Sequence, residues 1–134
     1  MNTTPDPAMN ATPRRILVVD DNQMNGHLAQ VVLTRAGFVA NVVESASLAL
    51  DYLCGNRVDV ILSDVSMPGM SGKDLCREVR SRYKDASPRM VAYTAFAMEH
   101  QREGILAAGF DALLVKPASS DAIVAAVVGA PRSA

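Results

Sequence analysis

Cysteine is scarce in this chain of 134 residues: only Cys54 and Cys76 occur, and their separation fits no metal-ligand spacing such as C-x-x-C. Both read as reduced thiols in or near the core of a cytoplasmic protein, on the apolar side of predicted helices. A basic excess is also missing. Lys and Arg number 13 against 14 Asp and Glu, a net charge of -1, so no field exists to hold a phosphate backbone and direct nucleic-acid binding is not expected. No apolar run approaches the roughly 18 residues of a spanning helix, which predicts no membrane insertion. The N-terminus lacks a charged stretch followed by an apolar one, so no secretion signal is read there. A glycine-rich phosphate loop is absent after the first apolar run, where Asp20-Asp21-Asn22 stands instead; this counts against a nucleotide binder.

What is present is an ordinary globular composition, 49% apolar and 20% charged, at a length that buries a core within one domain. Residues 1–13, with three prolines among Asn, Thr and Asp, predict a flexible lead, and residues 130–134 a flexible tail. Between them, over 14–129, strand and helix patterns alternate. Apolar strands are expected at Ile16–Val19, Phe38–Val43, Val58–Ser63, Arg89–Thr94 and Ala112–Val115. The first helix should start at an Asn22 cap, face inward with Met24, Leu28, Val31, Val32 and Ala36, and stop at Gly37. A second, capped by Ser45, carries Leu48, Ala49, Leu50 and Leu53. A third runs from Lys73 to Tyr83 with Leu75, Cys76 and Val79 inward. A fourth spans Met98 to Ala108. A fifth, capped by Ser119 or Ser120, carries Ile123, Val124, Val127 and Val128. Five strands alternating with five helices predict an α/β fold, a (βα)₅ doubly wound parallel sheet.

Right-handed crossovers bring all the strand ends to one edge, where such sheets bind ligands. That edge would gather Asp20, Asp21, Asp64, Thr94 and Lys116. Each has a modest explanation alone, as a helix cap, a solvated acid or a turn. Together, in order, at four separate strand ends, they form a pattern. Clustered carboxylates call for a hard divalent cation, Mg²⁺ or Mn²⁺, with oxygen ligands. An aspartate can also act as a nucleophile toward phosphorus. Asp64 suits that role because the Gly/Pro loop 65–72 after it admits a donor and aims the backbone of Val65 and Ser66 at the site. Lys116 would neutralise phosphoryl charge, and the Thr94 hydroxyl would bond the group once it arrives. Met67 and Met70 read as loop packing.

The segments ILVVDDN, VILSDVSMPGMSG, VAYTA and LLVKP resemble, in order and spacing, the receiver domain of two-component response regulators. The likeness extends over about Arg15 to Val128. DDNQMN and TAFAM look most like single-domain cell-cycle regulators of the DivK type and like receiver modules of hybrid histidine kinases. The resemblance implies a flavodoxin-like sheet of order 2-1-3-4-5 with Asp64 as phosphoacceptor. It also implies Mg²⁺ on Asp21, Asp64 and the Ser66 carbonyl, with Asp20 acting through water. Thr94 would be the switch hydroxyl, Lys116 the phosphate-binding lysine, and the Lys116–Pro117 bond cis. The phosphoryl group would come from a phosphohistidine on a histidine kinase or histidine phosphotransfer protein, and the signal would pass to a downstream protein. One position departs: where the family usually has Tyr or Phe, three residues before the lysine, stands Leu113. Phe96 and Met98 are then candidates to carry more of the output signal.

An aspartyl-phosphate phosphohydrolase is the competing reading. Many such enzymes need a second acid two residues after the nucleophile, and here that residue is Ser66. A receiver that phosphorylates itself and slowly loses phosphate, rather than an enzyme acting on a separate substrate, is the expectation. No effector is expected to fit after Val128. The polar N-terminus favours a free-standing protein over a module of a hybrid kinase.

Overall fold

The computed structural model describes residues 14–95 and 98–129. Strands β1 (Arg15–Val19), β2 (Val39–Val43), β3 (Val60–Asp64), β4 (Arg89–Thr94) and β5 (Ala112–Val115) form one parallel sheet of order β2-β1-β3-β4-β5. Helices α1 (Gln23–Arg35), α2 (Ala46–Gly55), α3 (Gly72–Tyr83), α4 (Glu99–Ala107) and α5 (Ser120–Val128) connect and follow them, with a short 3₁₀ turn at Lys84–Ala86. The doubly wound sheet and its strand order are as the sequence implied.

The central strands are apolar on both sides because helices cover both sides. Alternation then sorts the core into two layers. Ile16, Val18, Leu62 and Val91 meet Ala29 and Leu33 of α1 and Ile123 and Val127 of α5. Leu17, Ile61 and Met90 meet Ala49 of α2, Leu75 and Val79 of α3, and Ile105 of α4. Short polar side chains start four of the five helices by accepting bonds from otherwise orphaned backbone amides. Asn22 accepts from Asn25 at 3.0 Å, Ser45 from Leu48 at 3.1 Å, and Ser119 from Ala122 at 3.1 Å. Ser71 and Asp74 cap α3 reciprocally.

Several boundaries differ from the sequence reading by a residue or two. Phe38 and Val58 precede their strands, Arg15 joins β1, Asp64 closes β3, and Met98 is the N-cap of α4 rather than its first residue. The inward face of α1 is also corrected. Met24 and Leu28 are 81% and 59% exposed, and Ala36 is an exposed C-cap; the residues buried on the sheet are Gly26, Ala29 and Leu33. Proximity decides this. A Cβ on Gly26 would lie 2.8 Å from Val42 Cγ1, so α1 rides too close to β2 for large side chains at that point. On α2 the buried residues are Ala46, Ala49 and Leu50. Leu48 and Cys54 lie off that stripe and are exposed, so only Cys76 is a core thiol. Val128 likewise turns out to solvent at the end of α5.

Candidate functional site at the carboxyl edge of the sheet

Period-two alternation carries the α1/α5 core layer out to the sheet edge and changes its chemistry there. Two residues beyond Val18 is Asp20; two beyond Leu62 is Asp64; two beyond Val91 is Tyr93; two beyond Leu114 is Lys116. The register confirms the alignment where it is paired: Asp64 lies beside Tyr93, and Thr94 beside Val115.

Asp20 is 1% exposed. Its Oδ1 accepts from the Asn22 backbone at 2.9 Å and its Oδ2 from Lys116 Nζ at 2.9 Å. The same ammonium stands 3.5 Å from Asp64 Oδ2, so one lysine just beyond β5 answers an acid just beyond β1 and the acid that closes β3. Asp21 sits at the exposed rim. Carboxylate oxygens of Asp20, Asp21 and Asp64 lie within 4.8 Å of one another. Burial raises the Asp64 carboxyl above its ordinary range; Lys116 draws it back, but Asp20 pushes it up again, and the net is upward. Burial also works against the charge of Lys116, yet the bond and attraction to Asp20, with Asp64 behind it, outweigh that and keep the ammonium firmly protonated.

Three converging carboxylates facing one ammonium leave excess negative charge, and an all-oxygen donor set fits a hard divalent cation. The loop after Asp64 is drawn tight against it. The Ser66 amide donates to Asp64 Oδ1 at 3.3 Å, and the Gly72 amide donates to the Val65 carbonyl at 2.9 Å. A Cβ on Gly72 would run into the Asp64 carbonyl oxygen and stand 2.8 Å from Val65 Cα, so this close return of the chain requires glycine.

Thr94 ends β4, buried at 2% exposure. It points to the opposite layer from Tyr93 and lines, with Ser66, Met67, Lys73 and Gln101, a cavity of about 710 Å³. Its carbonyl accepts from the Lys116 amide at 2.8 Å, and the Lys116–Pro117 peptide is cis. Leu113 packs half-buried against the α2/α3/α4 layer, Met67 packs against the same layer, and Met70 is exposed. Met98 is 66% exposed at the start of α4; Phe96 lies outside the described residues. One neighbour escaped the sequence reading. The Tyr93 ring, 7% exposed, lies beneath Lys116 with Nζ 5.0 Å from its centroid. Its place beside Asp64 follows from parallel register, which the strand pattern alone does not supply.

An open parallel sheet with an acidic cluster and a lysine at its carboxyl edge is suited to metal-assisted phosphoryl chemistry. The sequence matches the family described as response regulator receiver domain over residues 16–128. It is 34% identical over 124 residues to the aerobic respiration control sensor protein ArcB of Escherichia coli K12, covering 92% of this chain and 15% of that protein. To the sensor protein GacS of Pseudomonas syringae pv. syringae it is 34% identical over 116 residues, covering 84% and 13%. The chain therefore spans a small part of these relatives. The chemotaxis response regulator CheY4 of Vibrio cholerae superposes with a TM-score of 0.77 at 29% identity, covering 84% of this chain and 94% of that one. The chain belongs to the response regulator receiver domain family. Among the described residues no helix is long and apolar enough to cross a membrane.

Proposed function

We propose that Asp64 accepts a phosphoryl group from a phosphohistidine of a histidine kinase or histidine phosphotransfer protein. The observation that carries this is the convergence of Asp20, Asp21 and Asp64, with Lys116 Nζ set between two of them. An Asp64 carboxylate oxygen attacks phosphorus. The acyl phosphate bond forms as the phosphorus–nitrogen bond breaks, and the electron pair leaves on the imidazole. Asp21, Asp64 and the Ser66 carbonyl would hold Mg²⁺ or Mn²⁺ directly, with Asp20 acting through water; the ion would supply charge neutralisation for the phosphoryl oxygens.

Lys116 neutralises a further share of that charge. Its bond to Asp20 holds it at the site before the donor arrives. The Thr94 hydroxyl takes up the arrived group, and the Thr94 end of β4 then biases the start of α4 between two arrangements. Leu113 has neither ring plane nor hydroxyl, so the output runs through Thr94 and the start of α4 at Met98 toward a downstream protein. The sensor proteins among the relatives support a second reading, in which this receiver serves as one module of a hybrid histidine kinase.

The test is incubation with Mg²⁺ and a small acyl phosphate, followed by intact mass. One phosphate adduct is expected on the wild type and none on Asp64→Asn. An adduct of equal size on both proteins overturns the assignment.

A further inference from the structure

Lys116 immediately follows β5, yet its ammonium reaches across the sheet edge to Asp20, which follows β1. Between those strands lie β4 and β3, and the residues that share this face at the edge are Tyr93 and Asp64. The lysine side chain is only 15% exposed, and it passes over the Tyr93 ring. An ammonium has three donors. Asp20 takes one at 2.9 Å and Asp64 stands within reach of a second at 3.5 Å.

An aromatic face attracts the cation without contributing negative charge. A carboxylate at that place would repel an incoming phosphoryl group. An aliphatic side chain would fill the volume without holding the ammonium. The ring adds to the hold of Asp20 on Lys116 without bringing in a further acceptor oxygen to compete with the phosphoryl group.

We propose that Tyr93 is a positioning residue for phosphoryl transfer to Asp64, the face of its ring fixing the Lys116 ammonium between Asp20 and Asp64. This rests on Asp64 as the phosphoacceptor. The aromatic ring, rather than the phenol oxygen, is the active feature, because Nζ sits over the ring.

Two measurements test it. The first uses no phosphodonor: the ring current of Tyr93 should move the ε-methylene protons of Lys116 upfield in proton–carbon spectra of the full chain. Tyr93→Phe should keep that shift, and Tyr93→Leu and Tyr93→Met should abolish it. The second is the rate of adduct formation with Mg²⁺ and a small acyl phosphate. Leu and Met are expected to lower it roughly fivefold or more, the factor a cation–π contact of this class supports, with Phe restoring it to within about twofold of wild type. Leu and Met variants that react at the wild-type rate overturn the proposal, as does a Phe variant as slow as Leu. An unshifted Lys116 methylene in the wild type overturns it even if the aliphatic variants fail to fold. A wild type that takes up no phosphate defeats the Asp64 assignment instead, and the spectra still decide whether Tyr93 holds Lys116.

Discussion

Replacing Lys116 by Met keeps most of the side chain's hydrocarbon and removes its charge, which isolates the electrostatic role of the lysine. Asp20 is then left 1% exposed with no cation, while Asp64 stands close by with a second negative charge. Removing one partner of a buried pair costs about 3–5 kcal/mol. The low end, about 3 kcal/mol, applies here because Asp20 keeps its bond from the Asn22 amide at 2.9 Å and Lys116 is not wholly sealed from water. For a domain of this size that is a drop in Tm of roughly 10 °C, read by calorimetry in chelator at neutral pH. Two controls tie the loss to charge. Saturating Mg²⁺ should return part of it, since a divalent cation answers the same carboxylates. Asp20→Asn in the Lys116→Met background should also return part, because the double variant no longer buries an unpaired charge. A loss below about 1 kcal/mol, or a double variant no more stable than Lys116→Met alone, refutes the reasoning.

Gly72→Ala should destabilise the domain by about 2 kcal/mol and slow phosphate uptake, because the added Cβ strikes the Asp64 carbonyl and displaces the loop that aims at the site; chemical denaturation and intact mass check the two effects separately. With a disulfide-exchange reagent at neutral pH, Cys54 should react at once. Cys76, buried and with its thiol pushed up to about 11 by burial, should react only on unfolding. Asp111 supplies a pH test. Burial alone would raise its carboxyl, but the Met90 amide and Arg80 hold it below its ordinary 3.8. Its stabilising contribution is therefore complete above that value and is lost as pH falls through the lower, folded value. Asp111→Asn should thus lower Tm at neutral pH and converge with wild type in strong acid.

The strands were legible because central parallel strands are continuous apolar runs, and the site was legible because chain order places Asp20, Asp21, Asp64, Thr94 and Lys116 at their carboxyl ends. The inward face of α1 was not. A hydrophobic stripe favoured Met24 and Leu28, but α1 turns Gly26, Ala29 and Leu33 inward, and its close approach to Val42 admits only glycine at position 26. Cys54 escaped for a related reason: α2 buries a narrow stripe of Ala46, Ala49 and Leu50, and the thiol lies beside it. Nothing in the strand pattern singles out Tyr93; the register sets it beside Asp64, and its ring lies beneath Lys116. Periodicity within one segment says which side chains share a face; it does not say which strands become neighbours.

The central claim is that Asp64, and no other acid of the cluster, carries the phosphoryl group. Borohydride reduces an acyl phosphate of aspartate to homoserine, so peptide mass mapping after acyl phosphate, Mg²⁺ and borohydride locates the modified residue directly. The account predicts homoserine at position 64 and unmodified aspartate at Asp20 and Asp21. Homoserine at either of those, or at none of the three in a protein shown to be folded, contradicts it.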